Sequence, residues 1–250
     1  MSETEVAESR RRRIAVLIDG DNAQATLIEH MLAEVSKYGI VSIRRVYGDW
    51  TTPSMNSWKP VLQEYAIQPI QQFQNTIGKN ATDSALIIDA MDILYTGHVE
   101  GFCIVSSDSD YTRLATRIRE TGSFVMGIGK SNTPKSLVNA CELFVYTTNL
   151  MSEIELPESD IEEGESSLEN PIPLLKKAFD LAVQDDGYAF LGTLGNCLRQ
   201  LDPGFDSRTY GHRQLSMLIR EYPDYFEIRE DPTPSGPTLM YVKMKMKKKR

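Results

Sequence analysis

The chain has 250 residues, 41% of them hydrophobic, enough apolar side chain for one sizeable core or two modest ones. It has no stretch of about 18 apolar residues, and residues 1–13 hold no apolar run ahead of a cleavage site, so neither a membrane span nor a secretory signal is expected. Cys103, Cys141 and Cys197 are odd in number and lack CxxC spacing, which argues against a disulfide framework and a zinc knuckle and makes the cytoplasm the default expectation. The net charge of −8 is unevenly spread: the 20 residues 151–170 hold 8 acidic side chains and no basic one. The remainder is therefore close to neutral, and the bulk acidity is no argument against a nucleic-acid partner.

In chain order, IAVLIDGDN (14–22) is a β-branched-rich apolar run that ends abruptly in carboxylates, the mark of a buried parallel strand. It predicts a strand at 13–18, followed by a helix at 22–37 for which Asp21 is the expected N-cap. Strand-like runs recur at 41–48, 66–72, 101–106, 124–129 and 142–146, with helical patterns between them at 56–65, 82–96, 109–121 and 133–140. Such alternation means βαβ units, a mostly parallel sheet and helices on its faces. The acidic, aromatic-poor stretch 151–170 reads as a linker. Beyond it come an amphipathic helix at 171–183, a helix at 191–201 opened by a Gly-Tyr-Ala-Phe turn, and a third helix at 210–221. Strands at 225–229 and 239–242 follow, suggesting a small α+β winged helix-turn-helix module, and the chain ends in KMKMKKKR. The expected organisation is a first domain at 12–148, a linker at 149–170, a second domain at 171–243 and a basic tail at 244–250.

Ligands of open α/β sheets bind beyond the carboxyl ends of the strands. Asp19 and Asp21 occupy that position after the first strand, and Asp108 and Asp110 after FCIVSSDSD (102–110). Crowded carboxylates repel one another, and a bound cation relieves the repulsion; oxygen ligands without His or Cys favour Mg²⁺ or Mn²⁺ over zinc. A third acidic segment, GKNATDSALIIDAMDILYTG (78–97), places Asp83 in the first turn of a helix on the face of Ile87, Ala90 and Leu94. Asp89 and Asp92 point elsewhere and are expected to be solvated or locally paired.

Taken together, IDGDN, TDSALIIDAMDIL and VSSDSDYTRLATRIRETGSFVMGIG resemble an NYN domain, a branch of the PIN-like nuclease superfamily, over residues 12–148. The resemblance implies a PIN-like three-layer α/β fold with a mostly parallel central sheet, and Mg²⁺- or Mn²⁺-dependent hydrolysis of RNA. It also implies site residues. Asp19 and Asp108 would be direct metal ligands, and Asp83 a ligand or water-orienting group. Asp110 would serve a second metal or cap the following helix, and Asn22 would position water or the scissile phosphate. Lys79 and Arg113 are the nearest cations for substrate phosphates, and Glu64 is the nearest match to a Glu that PIN domains often add. Residues 171–243 resemble a LOTUS (OST-HTH) domain through AFLGTLGNCL, DPGFDSRTYG and RQLSMLIREYPDYFEI. That family implies RNA binding and protein interaction, with Arg208, Tyr210, His212 and Arg213 as candidate RNA contacts.

The expected partners are therefore RNA, single-stranded for a PIN-like nuclease, and a protein reached through the second domain; a homodimer is compatible with the sequence. Two other readings stand beside the ribonuclease. One is an RNA-binding regulatory protein that keeps the carboxylates without turnover. The other rests on the likeness of LIDGDNA to the DxD motif of haloacid-dehalogenase-like phosphatases, which expect Thr or Val where Asn22-Ala23-Gln24 follows.

Overall fold

The computed structural model describes residues 12–73, 81–151, 170–232 and 238–245. The chain divides into two compact units, Met1–Ile161 and Glu162–Arg250. Among the described residues no helix is long and apolar enough to cross a membrane.

The first unit is built on six parallel strands, β1 (Arg13–Asp19), β2 (Ile40–Gly48), β3 (Gln68–Gln71), β4 (Gly101–Val105), β5 (Phe124–Gly129) and β6 (Leu143–Tyr146). Their order across the sheet is β3-β2-β1-β4-β5-β6. The helices are α1 (Ile28–Ser36), α2 (Lys59–Glu64), α3 (Ala81–Thr96), α4 (Thr112–Glu120), α5 (Lys135–Ala140) and α6 (Thr147–Met151).

Alternation along the strands feeds two cores. Ile14, Val16 and Ile18 of β1 join Met31, Val35, Trp58, Val105 and Ile128 on one face of the sheet. Ala15 and Leu17 join Leu86, Ala90, Tyr111, Leu114 and Leu137 on the other. The sheet is thus covered on both faces, which explains why its inner strands are continuously apolar. The same period carries Asp19 onto the face of Ala15 and Leu17, the face that α3 covers.

All six expected strands are present. After β6 the chain makes α6, with Asn149 and Leu150 buried and Leu150 joining the core of the first unit. The single turn of α6 is too short for sequence periodicity to reveal.

The second unit contains α7 (Ile172–Ala182), α8 (Leu191–Leu201) and α9 (Leu215–Arg220). They pack on a three-stranded antiparallel sheet of order β7-β9-β8, from β7 (Ala189–Phe190), β8 (Phe226–Asp231) and β9 (Leu239–Met244). Leu175, Phe179, Leu194, Leu198, Ile219, Phe226 and Val242 form its core. Two expectations are corrected here. The Gly-Tyr-Ala-Phe segment is a short strand as well as a turn, since Ala189 and Phe190 pair with Val242 and Tyr241. The third helix begins at Leu215 rather than 210, because Gly211 takes a left-handed φ of 81° and ends the 3₁₀ turn Ser207–Tyr210.

Candidate functional site

The strand order reverses between β1 and β4, so the chain leaves these neighbours towards opposite sides and opens a crevice at their carboxyl ends. Asp19 closes β1 and is only 1% exposed. Its Oδ2 accepts hydrogen bonds from Asn22 Nδ2 at 2.7 Å and Ser106 Oγ at 2.9 Å. Ser106, itself buried, also accepts from the Asp108 backbone N–H at 3.1 Å and so ties the β4 end to the β1 end. The loop after β1 is held from the other side, where Trp58 Nε1 donates to the Gly20 carbonyl at 3.1 Å. A side chain at Gly20 would meet Met55 Cε at 2.6 Å and the Tyr47 carbonyl at 2.7 Å, so the tight passage requires glycine.

After β4 the chain turns through the 3₁₀ segment Ser109–Tyr111 into α4. Asp108 caps this turn, its Oδ1 accepting from the Asp110 N–H at 2.9 Å. Asp83, in the first turn of α3, accepts from the buried Tyr111 hydroxyl at 2.7 Å on Oδ1. Each of Asp83, Asp108 and Asp110 offers a carboxylate oxygen, and these three oxygens lie within 4.8 Å of one another. Asp19 stands outside this triad, although its charge reaches Asp83.

The electrostatics record the crowding. Burial raises Asp83 above the usual carboxylate range, and the charges of Asp19, Asp108 and Asp110 raise it further against the lowering effect of Tyr111. Asp19 is raised by burial, against its bonds from Asn22 and Ser106. Asp21 is raised by burial and then by the charge of Asp83, while Thr82 offsets part of that rise. Burial also pushes the Tyr111 hydroxyl up, so it stays protonated and remains a donor.

These shifts have a stability consequence. A carboxylate raised in the folded state contributes stability that is complete below its ordinary value of 3.8 and is lost as pH rises through its raised value. Melting profiles in EDTA should therefore show Asp83→Asn gaining on the parent as pH climbs out of the acid range. An unchanged difference at all pH values would refute the assigned repulsion.

The remaining residues fall as follows. Asp21 does not cap a helix: the first helical turn, Ala25–Leu27, has Gln24 at its N-cap, and Asp21 instead faces α3. Asp110 is exposed at the mouth of the triad, and Arg113 is exposed in the first turn of α4. Lys79 lies outside the described residues. Glu64 ends α2, next to Tyr65 and on the way into β3, at the sheet edge opposite the acidic crevice. Asp89 is paired across elements rather than locally, with Arg45 and the Tyr47 hydroxyl of β2.

Sequence reading missed Asp49, which is 7% exposed just after β2 and raises Asp21 through its charge. Its Oδ1 accepts from Thr51 and from Gln71 Nε2 at 3.0 Å. The signal was present, since RVYGDW is a third strand-like run ending in an aspartate.

In the second unit Arg208 is engaged, its Nη2 bonding Asp206 at 2.7 Å with only 15% of the side chain exposed. Tyr210 packs on Phe205, with ring centroids 5.9 Å apart. His212 and Arg213 lie in the short non-helical connection before α9, and Arg213 is exposed.

The NYN domain description matches residues 13–153, more than half of the chain. The chain belongs to the NYN family. The OST-HTH/LOTUS domain description matches residues 165–237, so the NYN domain is followed by an OST-HTH module. Among solved structures the chain is similar to a protein of unknown function from Vibrio parahaemolyticus, at 20% identity and a TM-score of 0.46, covering 55% of this chain and 93% of that one. An uncharacterized protein from Nitrosomonas europaea is similar at 30% identity and a TM-score of 0.31, covering 38% of this chain and 90% of that one. No curated protein matches the chain. The NYN domain is a nuclease-type domain, and its acidic cluster lies at the switch point of the sheet.

Proposed function

We propose that this chain is a divalent-metal-dependent endoribonuclease whose OST-HTH module helps to hold single-stranded RNA. The observation that carries the proposal is the convergence of Asp83, Asp108 and Asp110, whose oxygens lie within 4.8 Å. That span is close to twice a hard cation's oxygen distance, about 4.0–5.2 Å, and an all-oxygen donor set suits Mg²⁺ or Mn²⁺.

Asp83, Asp108 and Asp110 would hold the cation. When bound, the cation neutralises phosphate charge and lowers the pKa of the attacking water. The chain's own groups do the rest. Tyr111 fixes Asp83 through Oδ1 and leaves its second oxygen for the ligand. The Asp110 N–H fixes Asp108 in the same way. Asp19 orients the Asn22 amide, which is exposed beside the crevice and suited to a phosphate oxygen or a water. Arg113 provides a cation at the rim for a neighbouring phosphate.

The test is cleavage of single-stranded RNA with Mg²⁺ or Mn²⁺ and its loss in EDTA; Asp19→Asn and Asp108→Asn should each abolish it. Cleavage that survives in the double variant would overturn the site. Tyr111→Phe should weaken metal affinity by about 10–100-fold, the usual effect of losing a group that orients a ligand. Mn²⁺ titration by calorimetry reads this directly, and unchanged affinity would remove Tyr111 from the site.

A second reading is favoured by the position of Asp19, which is buried and bonded outside the triad: RNA binding and metal binding without turnover. Calorimetric Mn²⁺ binding with no cleavage would select it.

A further inference from the structure

The second unit carries an aromatic and cationic surface that neither the acidic site nor the 207–214 segment uses. Along the sheet, Ala189, Val242 and Phe226 turn inward to the helices. Period two sends their neighbours to the other face. Register aligns Phe190, Tyr241 and Arg229 in one row across the three strands, and Lys243 opposite Glu227 beside them.

These side chains are organised. The Arg229 guanidinium carbon lies 4.2 Å from the Tyr188 ring centroid and 4.9 Å from that of Tyr241. Lys243 Nζ lies 5.2 Å from the Tyr188 ring, and the Phe190 and Tyr241 rings are 5.7 Å apart. Asp231 grips Arg229 Nη2 at 3.0 Å, which fixes the plane of the guanidinium. Arg229 Nε is buried without a hydrogen-bond partner, yet 40% of the side chain remains exposed.

We propose that this outer face of β7-β9-β8 is a stacking platform for the bases of single-stranded RNA; the proposal rests on the reading that the OST-HTH module binds RNA. Bases stack on tyrosine rings and on guanidinium planes, and rings already ordered by cation–π contact lose little freedom on binding. The charge of the ligand is indicated by Lys243 and Lys245 of β9 and its end, after which the sequence continues with Lys247, Lys248, Lys249 and Arg250. Glu227 and Asp231 on the same face temper phosphate attraction there, so stacking supplies the affinity at the sheet. A protein partner is disfavoured by composition. Among the described residues, the exposed large apolar side chains of this unit, Leu181, Val183, Leu201 and Met217, lie outside β7, β8 and β9.

The test uses the full chain in EDTA, with fluorescein-labelled single-stranded oligoadenylate and oligouridylate followed by anisotropy. Tyr188→Ala and Tyr241→Ala should each weaken binding roughly tenfold or more, the range measured for loss of one base–aromatic stack. Tyr188→Phe and Tyr241→Phe should restore it. The salt dependence should be unchanged in the tyrosine variants and should fall by about one unit of slope in Lys243→Ala. Parental affinity in both alanine variants, with parental melting, would overturn the platform and leave the face to a protein partner. If the parent chain binds neither RNA, the RNA-binding reading of the module fails first, and the platform with it. Should an alanine variant unfold, 4-thiouridine crosslinking of the parent decides. Crosslinks in 188–190 and 239–245 are expected, and crosslinks confined to 207–214 would refute the assignment.

Discussion

Replacing Asp83 by Asn is expected to abolish the proposed metal-dependent RNA cleavage and to leave the metal-free protein folded and more stable than the parent. Both effects have one cause. Asp83 is raised by burial and by the charges of Asp19, Asp108 and Asp110, so its ionised form is held at a cost to the fold. The amide removes that charge while keeping an oxygen for the Tyr111 hydroxyl. The same substitution removes one of three converging carboxylates, and with it charge that would retain a cation. Metal-ion catalysis is worth several kcal/mol, so the expected loss of rate is about 10³-fold or more. Melting with and without Mn²⁺ completes the test. The metal should raise the parent's midpoint and leave that of the variant unmoved, since only a ligand that binds the native state stabilises it. A variant that cuts RNA at the parental rate would remove Asp83 from the mechanism. A variant less stable than the parent in EDTA would remove the repulsion argument.

Trp58→Ala is expected to cost about 3–5 kcal/mol of folding stability, among the largest effects of any single substitution in the first unit. Trp58 is fully buried among Met55, Val46 and the β1 residues of its core, and its indole N–H satisfies the Gly20 carbonyl. Truncation leaves a cavity and an unsatisfied acceptor beneath the loop that presents Asp21 and Asn22. Trp58→Phe keeps most of the volume and loses the hydrogen bond, and should cost about 1 kcal/mol. Urea denaturation measures both. Similar costs for the two variants would mean that packing contributes little and that the bond to Gly20 dominates.

Much of the fold was legible because its signals are local. The runs IAVLI and GFCIV are apolar at every position, and that alone marks strands covered on both faces. The amphipathic helix α7 and the helix α8 were equally plain, their apolar positions recurring at helical spacing. What failed to read was short or set by distant groups. The single turn α6 has no periodicity to detect, and Gly211 could as well have sat inside a helix until its left-handed backbone was seen. Asp21 had the residue type and position of an N-cap, but the helix starts later than its pattern suggests, and the carboxylate is free to face α3.

The sequence by itself determined that this is a parallel α/β domain followed by a small winged module, and that acidic groups stand at the carboxyl ends of its strands. Strand-end position and side-chain period are properties of a few consecutive residues, so one chain suffices to read them. Only the tertiary structure decided which carboxylates meet. Asp83 and Asp108 belong to different crossovers, and their distance depends on the strand order and on how α3 lies across the sheet. That arrangement gathers Asp83, Asp108 and Asp110. It holds Asp19 beneath them with Asn22 and Ser106, sends Asp89 to Arg45 and Tyr47, and brings in Asp49 from β2.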